Sequence, residues 1–410
     1  MVLNPFLPYS NAPAGAPQAV YDRLSLLSLD NQVVLVTFVE QTEEHRVMPL
    51  RTMGIDVRYV VRHPCSKGLP LWRKRLRLAK ALLLGKLPLL VVEFQSRKMA
   101  QLLRRTLDEV APDMLLVEHR LMAQYLLDGR VAGTGVHPVK GRTIFSEHDA
   151  RGEAGVVSGP RPLSTLFRRV EAGRWADFTR EVWRSACVVL VPTQEDATVI
   201  RERAVGVPVE VVPYGLARPS LCEEDREAER EERNSKVLLF VGNFDHPPNR
   251  DAALRLGRTI LPIVQRSIPS ATLVIVGRNP TADIKDLASL GGVTVRGEVV
   301  SVEPYLRTCT IFVAPLRSGG GTRMKVIEAM MAGAPVVTTT LGAQGLEAEP
   351  GKHLLVADTD EEIADDVIAA LGDPGLRARI ASAARDLYCG AERKAERARL
   401  LNDVLQRYGT

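Results

Sequence analysis

Aromatic residues are scarce in this sequence, making up 5% of its 410 positions. This scarcity argues against a surface that binds single-stranded nucleic acid by stacking bases on aromatic rings. The formal net charge of +5 is also too small to indicate a nucleic-acid footprint. A mild positive charge instead suits a protein that binds phosphorylated ligands or touches an anionic membrane. We therefore expect no nucleic-acid partner.

Long hydrophobic runs and paired cysteine motifs are missing as well. The longest apolar stretch, ALLLGKLPLLVV, is interrupted by Lys86 and Pro88 and is too short to span a bilayer. No basic segment followed by an apolar one opens the chain, so we predict no signal peptide. The scattered cysteines predict ordinary thiols in a reducing compartment, and hence a cytoplasmic protein that could lie at the inner face of the membrane. The cysteines are Cys65, Cys187, Cys222, Cys309 and Cys389.

The length of the chain and its pattern predict two α/β domains, because 410 residues exceed one ordinary core. Apolar, β-rich runs alternate with helical patterns, which is typical of parallel sheets with right-handed crossovers. An almost purely charged stretch, residues 222–236, lies between the two series. We therefore predict domains over residues 1–215 and 216–390. We expect a final helix over 391–410 to pack back on the first domain.

The strongest local signal is the run RSGGGTRMKVIEA, which follows a predicted strand and opens a predicted helix. Its three glycines let the backbone approach a ligand, and the free N–H groups of a helix start bind anions. Arg323 and Lys325 oppose the helix dipole in the first turn, and a local conflict of this kind tends to mark function. A bound diphosphate would remove the conflict. The alternative is a flexible turn with two solvated basic residues.

The sequence Asp358-Thr359-Asp360 has the DxD pattern of some metal sites. It also stands between a predicted strand and a predicted helix, where Thr359 or Asp360 can cap the helix that starts at Glu361. We favour the cap, and predict neither a metal nor another cofactor. A departing diphosphate would then be neutralised by the basic residues and the helix start.

The segment GGTRMKVIEAMMAGAPVVTTTLGAQGLE resembles the donor-binding segment of the family-four retaining glycosyltransferases of the GT-B fold (glycosyl transferases group 1), and its glycine-threonine-arginine pattern resembles a polysaccharide-assembly sub-branch. The preceding VLLFVGNFDHPPNRDA resembles the opening strand and loop of that family's C-terminal domain. The resemblance covers residues 236–390, and more loosely 1–215. It implies two facing Rossmann-like doubly wound domains, an acceptor-side domain followed by a nucleotide-sugar-binding one. It also implies a retaining hexosyltransferase that moves a sugar from a nucleoside diphosphate sugar to a hydroxyl acceptor in polysaccharide or glycoconjugate assembly.

The resemblance transfers unevenly to the donor site. Glu328 matches the second glutamate of the family's paired motif, which implies contact with the ribose, although a plain ion pair with Lys325 fits the spacing too. Gly320 stands where the first glutamate is usual, and Asn243 stands where an arginine is usual. We infer that Arg323 and Lys325 supply the missing positive charge. The predicted donor-binding residues are Gly15, Gly242, Asn243, Gly320, Gly321, Thr322, Arg323 and Lys325.

In the first half, His148 of SEHDA matches the family's cleft histidine, which implies contact with the donor sugar near the reaction centre. We assign the catalytic roles to His148 and Glu328, although a structural histidine would also fit the position. Gly15 in NAPAGAPQ matches one glycine of a pair that faces the diphosphate. The VEHR segment lies after another strand on the same side. The predicted acceptor contacts are Glu118, His119 and Arg120.

Residues 69–86 combine Trp72 with a cluster of basic residues and leucines. This composition resembles a basic helix at a membrane interface, and it would suit a lipid-linked acceptor. The alternative is a solvated basic face on a core helix.

Two other functions remain open at the level of sequence. The same two-domain scaffold can host a sugar-nucleotide epimerase, which would need no acceptor. Gly320 in place of the usual glutamate and Asn243 in place of the usual arginine would also suit a non-catalytic, nucleotide-binding partner protein. Fold alone does not decide between these functions.

Overall fold

The computed structural model describes residues 1–9, 15–62, 85–127, 142–150, 165–214, 219–222, 233 and 235–409. Within it the chain divides into two compact units. The first unit comprises Met1–Ser10, Ala16–Gly215 and Arg397–Thr410, and the second comprises Asn11–Gly15 and Leu216–Glu396. Each unit has one parallel sheet with helices, which confirms the predicted class of two Rossmann-like α/β domains.

The sheet of the first unit consists of β1 (Val2–Asn4), β2 (Val34–Glu40), β3 (Asp56–Arg62), β4 (Leu115–Glu118), β5 (Thr143–Ser146), β6 (Val188–Val191) and β7 (Val209–Val211). Their order is β3-β2-β1-β4-β5-β6-β7, and every pairing is parallel. The strands β4, β5 and β6 are buried along their whole length, as expected for a sheet with both faces covered. The strand order reverses between β1 and β4, the place where open parallel sheets bind ligands.

Some helices of the first unit begin at a residue whose side chain caps them. In the helix Arg97–Val110, the Ser96 side chain accepts a hydrogen bond from the Met99 amide at 3.3 Å. The helix ends at Ala111, which adopts a left-handed conformation. The described helices of this unit are Gly15–Asp30, Val47–Thr52, Leu89–Glu93, Arg97–Val110, Arg120–Ala123, Thr165–Ser185 and Gln194–Arg203.

The last helix, Ala391–Gly409, ends in the first unit. Its Leu401 and Val404 are buried in that unit's hydrophobic core. Polar contacts support this packing, since Asn402 donates to Asp30 at 2.9 Å and Tyr408 donates to Glu210 at 3.2 Å.

The sheet of the second unit consists of β8 (Val237–Val241), β9 (Thr272–Val276), β10 (Val293–Gly297), β11 (Ile311–Ala314), β12 (Val336–Thr338) and β13 (Leu355–Val356). Their order is β10-β9-β8-β11-β12-β13, again with parallel pairings. The order reverses between β8 and β11, so this unit repeats the pattern of the first. Its helices are Pro219–Cys222, Pro247–Arg255, Leu261–Ser267, Ala282–Lys285, Glu303–Thr308, Met324–Met331, Thr340–Ala343, Asp360–Gly372 and Pro374–Cys389.

A disulfide joins Cys222 to Cys389 within the second unit. It links the end of the helix Pro219–Cys222 to the end of the helix Pro374–Cys389. The prediction of ordinary thiols is therefore wrong for this pair. The two residues are 167 positions apart, and only the fold brings them together.

Reduction of this disulfide is expected to destabilise the second unit, because the bond restricts the unfolded chain. We expect a loss of about 2–4 kcal/mol in the free energy of unfolding, measured by urea denaturation with and without reductant. Cys222→Ser should already be destabilised and should not respond to reductant. Cys187→Ser, which removes a free thiol, serves as the matched control. Equal unfolding midpoints for wild type in both conditions would contradict the expectation.

Among the helices in the described part of the chain, none is both long and apolar enough to cross a membrane. The predicted interfacial segment, 69–86, lies outside the described residues except for its last two positions. Its membrane contact therefore stays a prediction.

Candidate functional site

The candidate donor residues of the second unit gather where its strand order reverses. Gly242 and Asn243 follow β8, and the glycine loop, which we define as residues 317–323, leads from β11 to the helix Met324–Met331. Both segments leave the carboxyl ends of adjacent parallel strands, which is the edge where such sheets bind ligands. The structure thus brings these predicted residues together at one edge of the sheet.

Close packing explains why glycine stands at two of these strand ends. A Cβ atom on Gly277, just after β9, would lie 1.6 Å from the carbonyl oxygen of Gly242. A Cβ atom on Gly242 would lie 3.0 Å from the Cβ of Asn249. The backbone after β8 is therefore held between its neighbours.

Arg323 holds the glycine loop from within. Gly319 and Gly321 have φ values of +108° and +71°, so the loop uses conformations that favour glycine. The Arg323 guanidinium donates to the carbonyl oxygens of Gly319 at 2.9 Å and Gly321 at 3.2 Å, and also to that of Gly320. Its side chain is buried. Arg323, which was predicted to bind the diphosphate, thus stabilises the glycine loop in this structure by binding its carbonyl oxygens. The sequence could not reveal this role.

A second arginine anchors the start of the loop. Arg317 forms a two-point ion pair with Asp251, at 3.0 and 2.7 Å. Gly319 lies against Pro248, because a Cβ on this glycine would be 3.3 Å from the Pro248 Cγ. The pairing of Arg317 with Asp251 was not predicted, because a separation of 66 residues gives no local signal.

Lys325 connects the helix start to the loop after β8. Its Nζ donates to the Oδ1 of Asn249 and lies 4.9 Å from the centre of the Phe240 ring. Asn249 in turn donates to the carbonyl oxygen of Asn243 at 2.8 Å. Burial lowers the pKa of Lys325 to about 7, and the charge of Arg323 adds to this effect. Glu328, itself buried, opposes the shift.

The helix start itself offers hydrogen-bond donors. No side chain caps the first turn of the helix Met324–Met331, and that turn contains no acidic residue. The Thr322 hydroxyl is buried and has no hydrogen-bond partner in the described part of the chain. The Met324 amide donates to the carbonyl oxygen of Thr322 at 2.9 Å, and the Val326 amide donates to that of Arg323 at 2.8 Å. The Thr322 hydroxyl and the Lys325 amine are therefore the donors that match the needs of an anionic ligand at this helix start.

The side chains of Asp358, Thr359 and Asp360 all form hydrogen bonds or ion pairs within the second unit. Asp358 accepts from the amide and hydroxyl of Thr340 at 2.9 and 2.7 Å, and Asp360 pairs with Arg255. Thr359 caps the helix Asp360–Gly372 in a capping box. The predicted cap is confirmed. Among the described residues, no cluster of three or more potential metal ligands is found.

In the first unit, His148 lies after β5 with both ring nitrogens occupied. Its Nδ1 is 2.7 Å from the Tyr214 hydroxyl, and its Nε2 is 2.8 Å from a Glu118 carboxylate oxygen. Arg23 completes this network, which we name the His148 network, with an ion pair of 2.8 Å to Glu118 and a hydrogen bond to Ser146. Neither Arg23 nor Tyr214 was predicted as a site residue.

The pKa values of two groups in the His148 network are shifted by burial and by the Arg23 guanidinium. Burial alone would raise the pKa of Glu118, but Arg23 and the hydrogen bond from His148 outweigh it and lower the pKa to about 2. Burial raises the pKa of Tyr214, so its hydroxyl keeps its proton. Glu118 is fully buried, so in this structure it holds His148 in place of the predicted direct contact with an acceptor.

Arg120 belongs to a separate buried network. Its guanidinium donates to Glu147 at 2.7 Å and to Thr179 at 3.3 Å, and the Trp183 indole donates to the same Glu147 oxygen at 3.0 Å. Burial would lower the pKa of Arg120, but Glu147 raises it. The predicted acceptor contact is corrected for Arg120, because its guanidinium is buried and its N–H groups are hydrogen-bonded to residues of the core.

His119 is the third predicted acceptor residue, and it differs from its neighbours. It follows β4, its backbone has φ of +71°, and the residue is half-buried.

The predicted donor residue Gly15 begins the helix Gly15–Asp30. The predicted ligand contacts of His119 and Gly15 stay predictions.

Comparison with known protein sequences finds a family match in the second unit. Residues 235–373 match the family model described as Glycosyl transferases group 1. A phosphatidyl-myo-inositol mannosyltransferase of Mycobacterium leprae is 26% identical over 211 residues, which are 49% of this chain and 54% of that protein. Its namesake in Mycobacterium tuberculosis is 29% identical over 165 residues, 37% of this chain and 42% of that protein. The chain thus spans about half the length of the curated relatives it matches.

Solved structures match over almost the whole chain. The structure of Anabaena HepE in complex with UDP and glucose has a TM-score of 0.64 at 15% identity, covering 99% of each chain. Sucrose-phosphate synthase from Thermosynechococcus elongatus has a TM-score of 0.70 at 14% identity, covering 99% of this chain and 98% of its own. At these identities the likeness shows the fold alone.

Proposed function

We propose that the chain is a glycosyltransferase that uses a nucleoside diphosphate sugar, since residues 235–373 match the Glycosyl transferases group 1 model and solved glycosyltransferase structures share the GT-B fold. The observation on which this proposal chiefly rests is the start of the helix Met324–Met331. There, the buried Thr322 hydroxyl and Lys325 meet at a helix start without a side-chain cap, at the point where the strand order reverses. Such a site suits a diphosphate.

The roles within the donor site follow from this geometry. Lys325 and the helix start bind the diphosphate and stabilise it as it departs. Arg323 shapes the loop whose backbone approaches the ligand, and its buried charge adds to the positive potential. Glu328 is proposed to bind the ribose hydroxyls. Gly320 leaves room beside the donor sugar in place of a carboxylate.

We further propose transfer of a hexosyl group to a hydroxyl acceptor with retention of configuration, in polysaccharide or glycoconjugate assembly. Retention follows from the sequence resemblance of the donor segment. The name of the mycobacterial relatives, phosphatidyl-myo-inositol mannosyltransferase, supports a lipid-linked acceptor.

Product analysis tests this proposal against its alternatives. Purified protein is incubated with nucleoside diphosphate sugars and a lipid extract or simple hydroxyl acceptors, and the products are separated and examined by NMR. A new glycoside whose anomeric configuration matches the donor supports a retaining transferase. An altered nucleotide sugar without acceptor would indicate an epimerase, and nucleotide binding without turnover would indicate a non-catalytic protein.

Nucleotide binding is expected to be independent of metal ions, because the positive charge comes from the protein itself. Calorimetric titration with UDP, GDP, ADP and dTDP should find at least one ligand whose affinity is unchanged by EDTA. The result would also name the base for a donor screen. Loss of binding in EDTA would contradict the proposed metal-free donor site, and Mg²⁺ added back in excess provides the control.

A further inference from the structure

His119 has a backbone conformation that needs an explanation. A positive φ of 71° is uncommon for a residue other than glycine, and it costs free energy that the surrounding structure must supply. The residue stands directly after β4, where the strand order of the first sheet reverses, and its ring meets Phe6 from the loop after β1 edge to face at 6.3 Å. Strain of this kind collects at ligand sites.

The hydrogen bonds of His119 determine which ring nitrogen carries the proton. Nδ1 accepts from the Leu121 amide at 3.3 Å, capping the helix Arg120–Ala123, so in the neutral ring the proton lies on Nε2. No described residue forms a hydrogen bond with this Nε2. Burial lowers the pKa of His119 to about 4, so the ring is neutral near pH 7. His119 therefore offers an uncharged N–H donor.

His148 offers no such donor. The ionised Glu118 can only accept, so it takes the Nε2 proton of His148 in its hydrogen bond of 2.8 Å. The Tyr214 hydroxyl lies 2.7 Å from Nδ1, so both ring nitrogens of His148 are already paired. A substrate could reach either nitrogen only by displacing a buried partner, and an unpaired buried carboxylate or hydroxyl is costly.

We propose that His119, and not His148, presents the imidazole N–H of the first unit to the substrate, where it donates to a sugar hydroxyl oxygen. His148 is then a positioning residue that bridges Glu118 and Tyr214. A neutral donor fits an uncharged hydroxyl better than it fits a phosphate. This assignment rests on the proposed function, because it gives His119 a sugar as its ligand.

The substitution His119→Asn separates the donor from the fold. Asparagine tolerates positive φ, and its side-chain oxygen can still accept from the Leu121 amide, but it has no N–H at the position of Nε2. We expect an unchanged unfolding midpoint and unchanged nucleoside diphosphate affinity, with kcat/KM lowered about ten-fold or more. His119→Gln, whose longer amide can still donate, should retain more activity than His119→Asn. Wild-type kcat/KM in His119→Asn would overturn the proposal.

The exposed His45 provides the matched control, since His45→Asn should leave activity unchanged. A second measurement does not depend on turnover. In ¹⁵N-histidine NMR, His119 should be neutral with its proton on Nε2 from pH 6 to 8, and this resonance should shift when donor sugar nucleotide and acceptor are added. A charged ring, a proton on Nδ1 or an unmoved resonance would overturn the proposal. Absence of sugar transfer by the wild-type protein would instead refute the proposed function, and the resonance would still decide whether His119 meets a ligand.

Discussion

Substitution of Lys325 by methionine is expected to weaken nucleoside diphosphate binding by about ten- to hundred-fold, because it removes a charge-assisted hydrogen bond to a phosphate. The same amine should make the affinity of the wild-type protein depend on pH. Its pKa is lowered to about 7 in the free protein, mainly by burial. A bound diphosphate favours the charged form and raises that pKa, so binding takes up a proton.

The direction of the pH effect follows from this proton uptake. Between pH 7.5 and 9 the free amine is mostly neutral, and the affinity should fall by about ten-fold as pH rises. The terminal phosphate stays fully ionised in this range, so it does not contribute. Lys325→Arg should bind with little dependence on pH, because its guanidinium stays charged. Calorimetry in buffers of different ionisation enthalpy measures the proton uptake directly, and a flat affinity for the wild type would contradict the role given to Lys325.

The same lowered pKa has a consequence for folding. The unfolded chain binds a proton at Lys325 up to about pH 10.5, whereas the folded protein releases it near pH 7. Between these values the unfolded state binds more protons, so the contribution of Lys325 to stability increases with pH. This destabilising burial of an amine is typical of a site adapted to a ligand.

The strand, loop and helix of the candidate donor site could be predicted from sequence because their signals are local. A buried strand, three glycines and a helix start follow one another within residues 311–331, and each element is specified by its own residues. The parallel order of the strands then determines which edge of the sheet they share. The predicted helix cap at Thr359 is confirmed for the same reason, because a cap is also a local signal.

The partners of the site residues could not be predicted, because they are distant in sequence. Glu118 pairs with Arg23 across 95 positions and with His148 across 30, and neither spacing is a recognised pattern. The inward turn of Arg323 depends on the glycine loop's own backbone conformation, which the sequence permits without specifying. Residue types therefore indicated the candidate chemistry, while the fold determined which side chains pair with one another.

Replacement of Arg120 by methionine should separate a structural role from an acceptor role most sharply. Removing one partner of a buried ion pair leaves Glu147 charged and uncompensated, which costs about 3–5 kcal/mol. We expect Arg120→Met to lower the free energy of unfolding by about this amount, measured by urea denaturation. An acceptor-binding arginine at a surface would instead change KM and leave stability almost unchanged.

A second substitution provides the control for this argument. In the double variant Arg120→Met with Glu147→Gln, the carboxylate charge is gone, but an oxygen remains to accept from the Trp183 indole, which lies 3.0 Å away in the wild type. The double variant should therefore recover more than half of the stability lost in Arg120→Met. Equal instability of the two variants would mean that the cost arises from lost packing of the arginine stem, and wild-type stability in Arg120→Met would return this residue to the list of candidate acceptor contacts.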